Sequence, residues 1–256
     1  MLAILSPAKN MRVPKPWGFP LSRPRFLPQA RELADVLRQY PPWQLESILR
    51  VNPQIALRAF GYYQDFDAAP DMPALLSYHG LAYQYLDAAT LSAGDLEYAQ
   101  NHLRLLSALY GVLRPADGIR PHRLEMTSRL SIRGENLYRF WGGAWRDALF
   151  GEARTVVNLA SAEYGGAVSR RLSERDRMVD CVFLNPSRGA LRQLAAPAKM
   201  ARGAMARFML QNRIDRPEGL KDFHWDGYRY VAALSGTDRY VFARGTGFEE
   251  DGGKDG

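Results

Sequence analysis

The sequence has little cysteine and little histidine, since its 256 residues include one cysteine, Cys181, and four histidines. A single cysteine excludes an internal disulfide, and we therefore expect a protein of the reducing cytoplasm. Histidine and cysteine nowhere cluster with the spacing of metal ligands, so we predict no metal site. Cys181 itself lies in an apolar run and is predicted to be a core residue.

Long apolar runs are also missing. No stretch approaches the roughly 20 residues of a membrane-spanning helix. The chain begins with a predicted strand and shows no basic leader segment before it. Hydrophobic residues make up 46% and charged residues 24% of the chain, as in an ordinary globular protein. We expect a soluble, cytoplasmic protein without a membrane partner.

The common cofactor and catalytic motifs are absent too. The chain has no Gly-x-x-x-x-Gly-Lys-Ser/Thr loop, no Gly-x-Gly-x-x-Gly, no His-Glu-x-x-His and no Gly-x-Ser-x-Gly. Nothing in the sequence therefore predicts a cofactor.

The apolar pattern that is present predicts an α/β protein. Strands are predicted over 2–5, 155–159, 179–184, 228–232 and 240–243, and helices over 29–39, 43–50, 95–113 and 199–213. The helix over 95–113 is expected to be central, because its second half is apolar on nearly all sides. No repeat or linker divides the chain. We predict a single domain over residues 1–248 and a disordered tail over 249–256.

Positive charge is concentrated in one segment. The chain carries a net charge of +7, and residues 170–216 hold eleven lysines and arginines against four acids. Such a segment predicts an anionic partner, since arginine suits bidentate contact with phosphate. The alternative is a soluble surface without a specific partner.

The predicted helix over 199–213 has an apolar face and a cationic one. Lys199, Arg202 and Arg213 fall close together on a helical wheel, and Gly203 lies beside them. A glycine there permits close approach of another backbone. The cationic face is predicted to meet phosphate, with a solvated basic face as the alternative.

Polar residues also follow the predicted strands. Ser6 and Lys9 come after the first strand, and Asn158, Ser161 and Glu163 stand at the end of the strand over 155–159. Ligand groups gather at strand ends in open α/β sheets. A third polar segment contains Arg123 and Glu125, for which a structural ion pair is an adequate alternative.

Together these segments resemble the YaaA family of peroxide stress proteins. The matching motifs, in family order and spacing, are Ser6–Lys9, Leu106–Pro115, Arg123–Met126, Leu137–Gly142, Asn158–Tyr164 and Ala198–Gly203. One departure is Gly80-Leu81-Ala82-Tyr83, where the family usually has Gly-Asp-Val-Tyr, so an acidic group is missing. Another is Gly165-Gly166, where the family has a bulky and a basic residue.

The resemblance implies a fold and a function. The fold would be a single α/β (α+β) domain of unusual topology, with a mixed central sheet surrounded by helices and a positively charged cleft. The function would be binding of duplex or structured DNA through a helix-hairpin-helix-like element, and limitation of oxidative damage and free iron. The nearest stretch to such a hairpin is Tyr110–Pro115.

Two functional hypotheses follow. In the first, a DNA-binding stress protein contacts backbone phosphates without sequence specificity through Lys9, Lys199, Arg202, Arg207 and Arg213. In the second, an enzyme acts on a nucleotide or nucleobase. Its pocket would gather the residues Lys9, Arg123, Glu125, Asn158, Ser161, Glu163, Lys199 and Arg202. The enzyme hypothesis requires that Lys9, Arg123, Asn158, Glu163 and Lys199 meet in one pocket.

Overall fold

The structure, a computed structural model, describes residues 1–13, 18, 20–69 and 72–245. The predicted tail over 249–256 lies outside these residues. The strands are β1 (Leu2–Leu5), β2 (Asn10–Met11), β3 (Met72–Pro73), β4 (Tyr78–His79), β5 (Leu103–Ser107), β6 (Gly111–Leu113), β7 (Gly118–Ile119), β8 (Thr155–Asn158), β9 (Arg177–Ser187), β10 (Ala190–Arg192), β11 (Arg229–Tyr230) and β12 (Arg239–Ala243).

Helices surround these strands. They are α1 (Leu27–Leu37), α2 (Pro42–Leu49), α3 (Pro53–Gln64), α4 (Ala74–Ser77), α5 (Leu81–Leu86), α6 (Ala93–His102), α7 (Leu137–Trp141), α8 (Ala144–Phe150), α9 (Ala162–Ser169) and α10 (Ala195–Gln211). Short 3₁₀ helices span Ala88–Thr90, Pro217–Asp222 and Ala232–Leu234. No helix in the described ranges is long and apolar enough to cross a membrane.

The central sheet is mixed and has the order β11-β12-β9-β8-β1-β5-β6, with β10 paired to β9 outside this path. Strands β12, β9, β8, β1 and β5 run parallel, while β6 and β11 pair antiparallel at the two edges. All four residues of β1 are buried, as expected for a strand covered on both faces. The predicted α/β fold with a mixed sheet and helices around it is confirmed.

The prediction of one helix over 95–113 is wrong. Helix α6 starts at Ala93, where Ser92 and Asp95 form a capping box, and it ends at His102. The apolar residues that follow form the buried strand β5, and β6 pairs back on it. Periodicity alone does not separate a buried helix from a buried strand, which is why the prediction failed. Since 111–113 is a sheet strand, Tyr110–Pro115 is not a helix-hairpin-helix turn either.

The other predicted elements are present with shifted ends. The strand predicted over 179–184 is longer, because β9 continues to Ser187 before turning through Arg188 and Gly189 into β10. The helix predicted over 199–213 begins four residues earlier, at Ala195, and ends at Gln211. The two predicted C-terminal strands pair antiparallel as β11 and β12.

Helix α10 packs closely against α5. A Cβ atom added at Gly203 would lie 1.9 Å from the carbonyl oxygen of Ala82, so only glycine fits the crossing. The close approach that the sequence predicted at Gly203 is confirmed. Because this contact seats the first half of α10, it also fixes where Lys199 and Arg202 lie.

Candidate functional site

The site forms at the carboxyl edge of the central strands. Strands β1 and β8 are parallel neighbours, so the residues that follow them emerge side by side. The main-chain N–H of Ser161 donates to Ser6 Oγ at 2.8 Å, and Ser6 Oγ donates to Ser161 Oγ at 3.1 Å. The Tyr83 hydroxyl donates to the carbonyl of Ser6 at 2.9 Å. These bonds hold the loop after β1 against the start of α9.

A cavity of about 340 Å³ opens at this edge. Its volume falls within the usual range of ligand sites, about 300–1,000 Å³. The predicted site residues that line it are Lys9, Arg123, Glu125, Ser161, Glu163, Lys199 and Arg202. They come from four separate segments of the chain. Four of the five residues required by the enzyme hypothesis therefore meet in one cavity, and Asn158 does not line it.

One side of the cavity carries a paired cluster, which consists of Lys9, Arg123 and Glu125. Lys9 Nζ lies 2.9 Å from Glu125 Oε2, and Arg123 Nη2 donates to Glu125 Oε1 at 2.7 Å. Arg123 Nη1 also donates to the Lys9 carbonyl at 3.0 Å. The cluster joins the loop after β1 to the segment after β7, and its one carboxylate compensates much of its positive charge.

Glu163 lies half-buried in the cavity, in the first turn of α9. Its Oε1 accepts from the main-chain N–H of Thr127 at 3.3 Å. Burial raises the pKa of this carboxyl, and the nearby Glu125 adds to the rise, while Lys9 opposes it. Glu163 therefore holds a proton more readily than an ordinary glutamate, as a general acid or base requires.

The other side of the cavity carries the α10 cations, Lys199 and Arg202. Within the described ranges neither forms a hydrogen bond or an ion pair, although the Arg202 Nε atom is inaccessible to solvent. Burial lowers the pKa of Arg202, against the weaker opposite influence of Cys181 and Asp180. Lys199 is exposed at the cavity mouth.

Asn158 does not line the cavity and forms hydrogen bonds beside it. Its Nδ2 donates to Asp180 Oδ1 at 2.7 Å, and its Oδ1 accepts from the main-chain N–H of Ala160 at 2.9 Å. A Cβ atom added at Gly165 would lie 2.6 Å from Asn158 Nδ2. The tight packing explains why glycine suits position 165 here, where the family has a bulky residue.

Arg207 and Arg213 lie outside the cavity and have partners within the chain. Arg207 Nη1 donates to the carbonyls of Leu86 and Asp87, each at 3.0 Å, at the end of α5. Arg213 Nη1 lies 2.7 Å from Asp95 Oδ1, which turns it away from Lys199 and Arg202. The positions of Arg207 and Arg213 do not test the prediction that the two arginines contact phosphate.

Several cavity residues were missed by the sequence analysis. Tyr83 and Tyr164 are buried in its wall, and burial raises the pKa of each phenol well above its usual value. His122 also lines the cavity, and burial lowers its pKa to about 4, so its ring is neutral at physiological pH. Leu81, where the family usually has an acid, contributes apolar surface. The Glu163-Tyr164 motif could have indicated Tyr164, because its neighbour Glu163 was predicted to be a site residue.

Cys181 lies in β9 and is buried, as predicted. Burial raises the pKa of its thiol far above the ordinary value, with Asp180 adding to the rise. The reactive form of a cysteine is its thiolate, so Cys181 is not a ready target for peroxide. In the described part of the chain, no group of three or more histidine, cysteine, aspartate or glutamate residues could hold a metal ion.

Comparison with known proteins points to one family. A sequence model of the family described as peroxide stress protein YaaA matches residues 1–234. A UPF0246 protein of Burkholderia mallei is 40% identical over 260 residues, covering 96% of this chain and 100% of the relative. A UPF0246 protein of Verminephrobacter eiseniae is 42% identical over 256 residues, covering 95% of this chain and 98% of the relative.

Proposed function

Because the chain belongs to the YaaA family of peroxide stress proteins, we propose that it serves the peroxide stress response as an enzyme. Its substrate is a nucleotide or nucleobase held in the cavity between the paired cluster and the α10 cations. The observation that carries this proposal is the convergence of four distant motifs on a cavity that contains a half-buried carboxyl, Glu163.

The half-buried carboxyl of Glu163 favours the enzyme hypothesis over a surface that only binds anions. A surface that meets phosphate gains nothing from a half-buried acid, whose desolvation is unfavourable unless a partner compensates it. A catalytic site uses such a group to move a proton. The raised pKa of Glu163 brings it closer to neutrality, where the transfer is most efficient.

The surrounding groups fit this role. The paired cluster holds the loop after β1 in place and sets the charge beside Glu163. Tyr83 and Tyr164, with Leu81, give the cavity an aromatic and apolar wall that suits a flat base. We assign the proton transfer to Glu163.

Glu163→Gln tests the proposal, with Glu174→Gln as the matched control on an exposed acid outside the cavity. The purified proteins are incubated with a bacterial metabolite extract, and nucleotides and bases are followed by mass spectrometry. We expect the wild type and Glu174→Gln to consume one compound and Glu163→Gln to leave it intact. In a peroxide-sensitive host lacking its own family member, Glu163→Gln should fail to restore survival while its duplex DNA affinity is unchanged. Full protection by the Glu163→Gln variant, together with tighter DNA binding, would contradict the enzyme hypothesis.

DNA binding is a second candidate function, favoured by cations that lie outside the cavity. Outside the cavity, the exposed members of the basic segment are Arg170, Arg171, Arg175, Arg188, Arg192, Arg213 and Arg216. Helices α2 and α3, joined by the three-residue turn Arg50–Asn52, are the pair we propose as the helix-hairpin-helix-like element. Covering DNA in this way would limit iron-dependent damage in the cytoplasm, where we expect the protein to act.

The salt dependence of duplex binding tests this second function. Raising salt from 50 to 200 mM should weaken binding by about tenfold or more, and nearly equally for unrelated sequences. Arg188→Gln with Arg192→Gln should reduce the affinity and the salt slope together, because both side chains are exposed on the β9–β10 hairpin. Binding that is insensitive to salt would argue against it.

A further inference from the structure

Arg202 differs from three other arginines with a buried Nε atom in forming no ion pair within the described residues. The buried Nε atoms of Arg38, Arg123 and Arg244 also lack a hydrogen bond, but each of these guanidiniums forms an ion pair through its Nη atoms. Arg202 makes neither an ion pair nor a hydrogen bond within the described residues, although it lines the cavity. The charge of Asp180 acts on Arg202 without forming an ion pair, so this partly buried guanidinium keeps unused donors that an anionic ligand can take.

We propose that Arg202 and Lys199 bind the terminal phosphate of a mononucleotide, and this inference rests on the proposed function. The planar fork of an arginine matches two oxygens of a phosphate. Lys199 precedes Arg202 by three positions on α10, so the two side chains project from the same side of the helix. Two positive charges suit a phosphomonoester, which carries about −1.5 to −2 at neutral pH, better than the single charge of a diester within a strand.

The charges around the cavity give the nucleotide a direction. The carboxylate that acts on the pKa of Arg202 is Asp180, whereas the charges that act on the pKa of Glu163 are those of Glu125 and Lys9. Glu163 lies in the first turn of α9 and Arg202 in α10, so the two groups reach the cavity from different helices. Lys9 and Arg123 already share the carboxylate of Glu125, so the unpaired α10 cations are the preferred partners of a phosphate, which leaves the base and sugar toward Glu163.

The size of the cavity favours a free nucleotide over a strand. A volume of about 340 Å³ encloses a small molecule, not a duplex. The aromatic wall formed by Tyr83 and Tyr164 accounts for the base, and the α10 cations account for the phosphate. The substrate class is therefore the nucleoside monophosphate, with the bare base or nucleoside bound much more weakly.

Calorimetric titration tests this assignment with the four ribonucleoside 5′-monophosphates and their parent nucleosides. One monophosphate should bind at least tenfold more tightly than its nucleoside. Arg202→Met should remove that difference and leave nucleoside binding unchanged, and Lys199→Gln should reduce it several-fold. Arg229→Gln removes an exposed cation of β11 outside the cavity and should bind like the wild type. Because Lys199 is exposed, its variant keeps the test decisive even if Arg202→Met folds poorly.

Other outcomes separate the failure of this inference from that of the proposed function. Equal losses for monophosphate and nucleoside in Arg202→Met would overturn the phosphate assignment, while binding in the cavity would stand. If no monophosphate binds but Glu163→Gln still blocks consumption of a metabolite, the enzyme stands and its substrate class is wrong. Tight binding of a 5′-phosphorylated duplex, but not of its 5′-hydroxyl twin or of any mononucleotide, would also overturn the assignment.

Discussion

The two sides of the cavity are both cationic, yet they are built in opposite ways. In the paired cluster, Lys9 and Arg123 share the carboxylate of Glu125 at 2.9 and 2.7 Å. The α10 cations have no such partner in the described residues, and one of them is largely removed from water. A cation that is already paired stabilises the fold, while one left unpaired at a cavity is available to a ligand. Residue type alone therefore does not decide which role a cation has.

The largest effect is expected from a substitution that forces α10, which carries the unpaired cations, away from α5. Gly203→Ala places a Cβ atom 1.9 Å from a backbone oxygen of α5, which forces the helices apart. We expect a loss of about 3 kcal/mol in the free energy of unfolding, at the upper end for overpacking. The measurement is urea denaturation followed by circular dichroism. As a control, Gly61→Ala lies in α3 with open space around it and should stabilise by about 0.5–1 kcal/mol. Equal behaviour of the two variants would show that the crossing tolerates a side chain.

A smaller effect is expected when the paired cluster loses its carboxylate. Glu125→Gln leaves the mostly buried guanidinium of Arg123, 13% exposed, without its counter-charge. We expect a loss of about 2 kcal/mol, below the figure for a fully buried pair because Lys9 is 66% exposed. Thermal and urea unfolding measure it, with Glu174→Gln as the control. If Arg202→Met is as destabilising as Glu125→Gln, the distinction between a paired and an unpaired side is lost.

The smallest expected effect is a pH dependence of the free energy of unfolding that arises from Glu163. The pKa of Glu163 is raised in the folded protein, so the folded state binds its proton more tightly than the unfolded state. The stabilisation from that proton is present at low pH and is lost as pH rises past the ordinary glutamate pKa of about 4.3.

Glu163→Gln, which is neutral at every pH, should therefore match the wild type at low pH. It should be more stable than the wild type at neutral pH, where the wild-type carboxylate is charged and half-buried. Stability curves of both proteins from pH 4 to 8 measure the difference. A difference that grows toward low pH would reverse the sign of the shift.

Local pattern predicted the parts of this site that depend on local structure. The end of β1 predicted Ser6 and Lys9 at a sheet edge, and the helical wheel predicted that Lys199 and Arg202 share a face. The wheel also placed Arg213 with them. Asp95, over a hundred positions away, draws it elsewhere, and no local rule contains that contact.

The wrong prediction of a single helix over 95–113 has the same origin. The apolar residues after His102 satisfy a helix and a buried strand equally well, and only their pairing with β1 selects the strand. His122 and Tyr83 reach the cavity from segments that carry no strand-end signal. Residues whose position depends on distant pairing were therefore the ones that sequence patterns missed.

The bond between Ser161 and Ser6 also has a consequence for the nascent chain. The two residues are separated by 155 positions, and β1 pairs with strands that begin near residues 103 and 155. At a translation rate of about 5–20 residues per second, the first strand waits roughly 8 to 30 s for its second neighbour. Its four apolar residues are therefore synthesised well before either of the two strands that cover its edges. The cavity also needs Lys199 and Arg202, which are synthesised later still, and holdase chaperones have that interval in which to bind the uncovered strand.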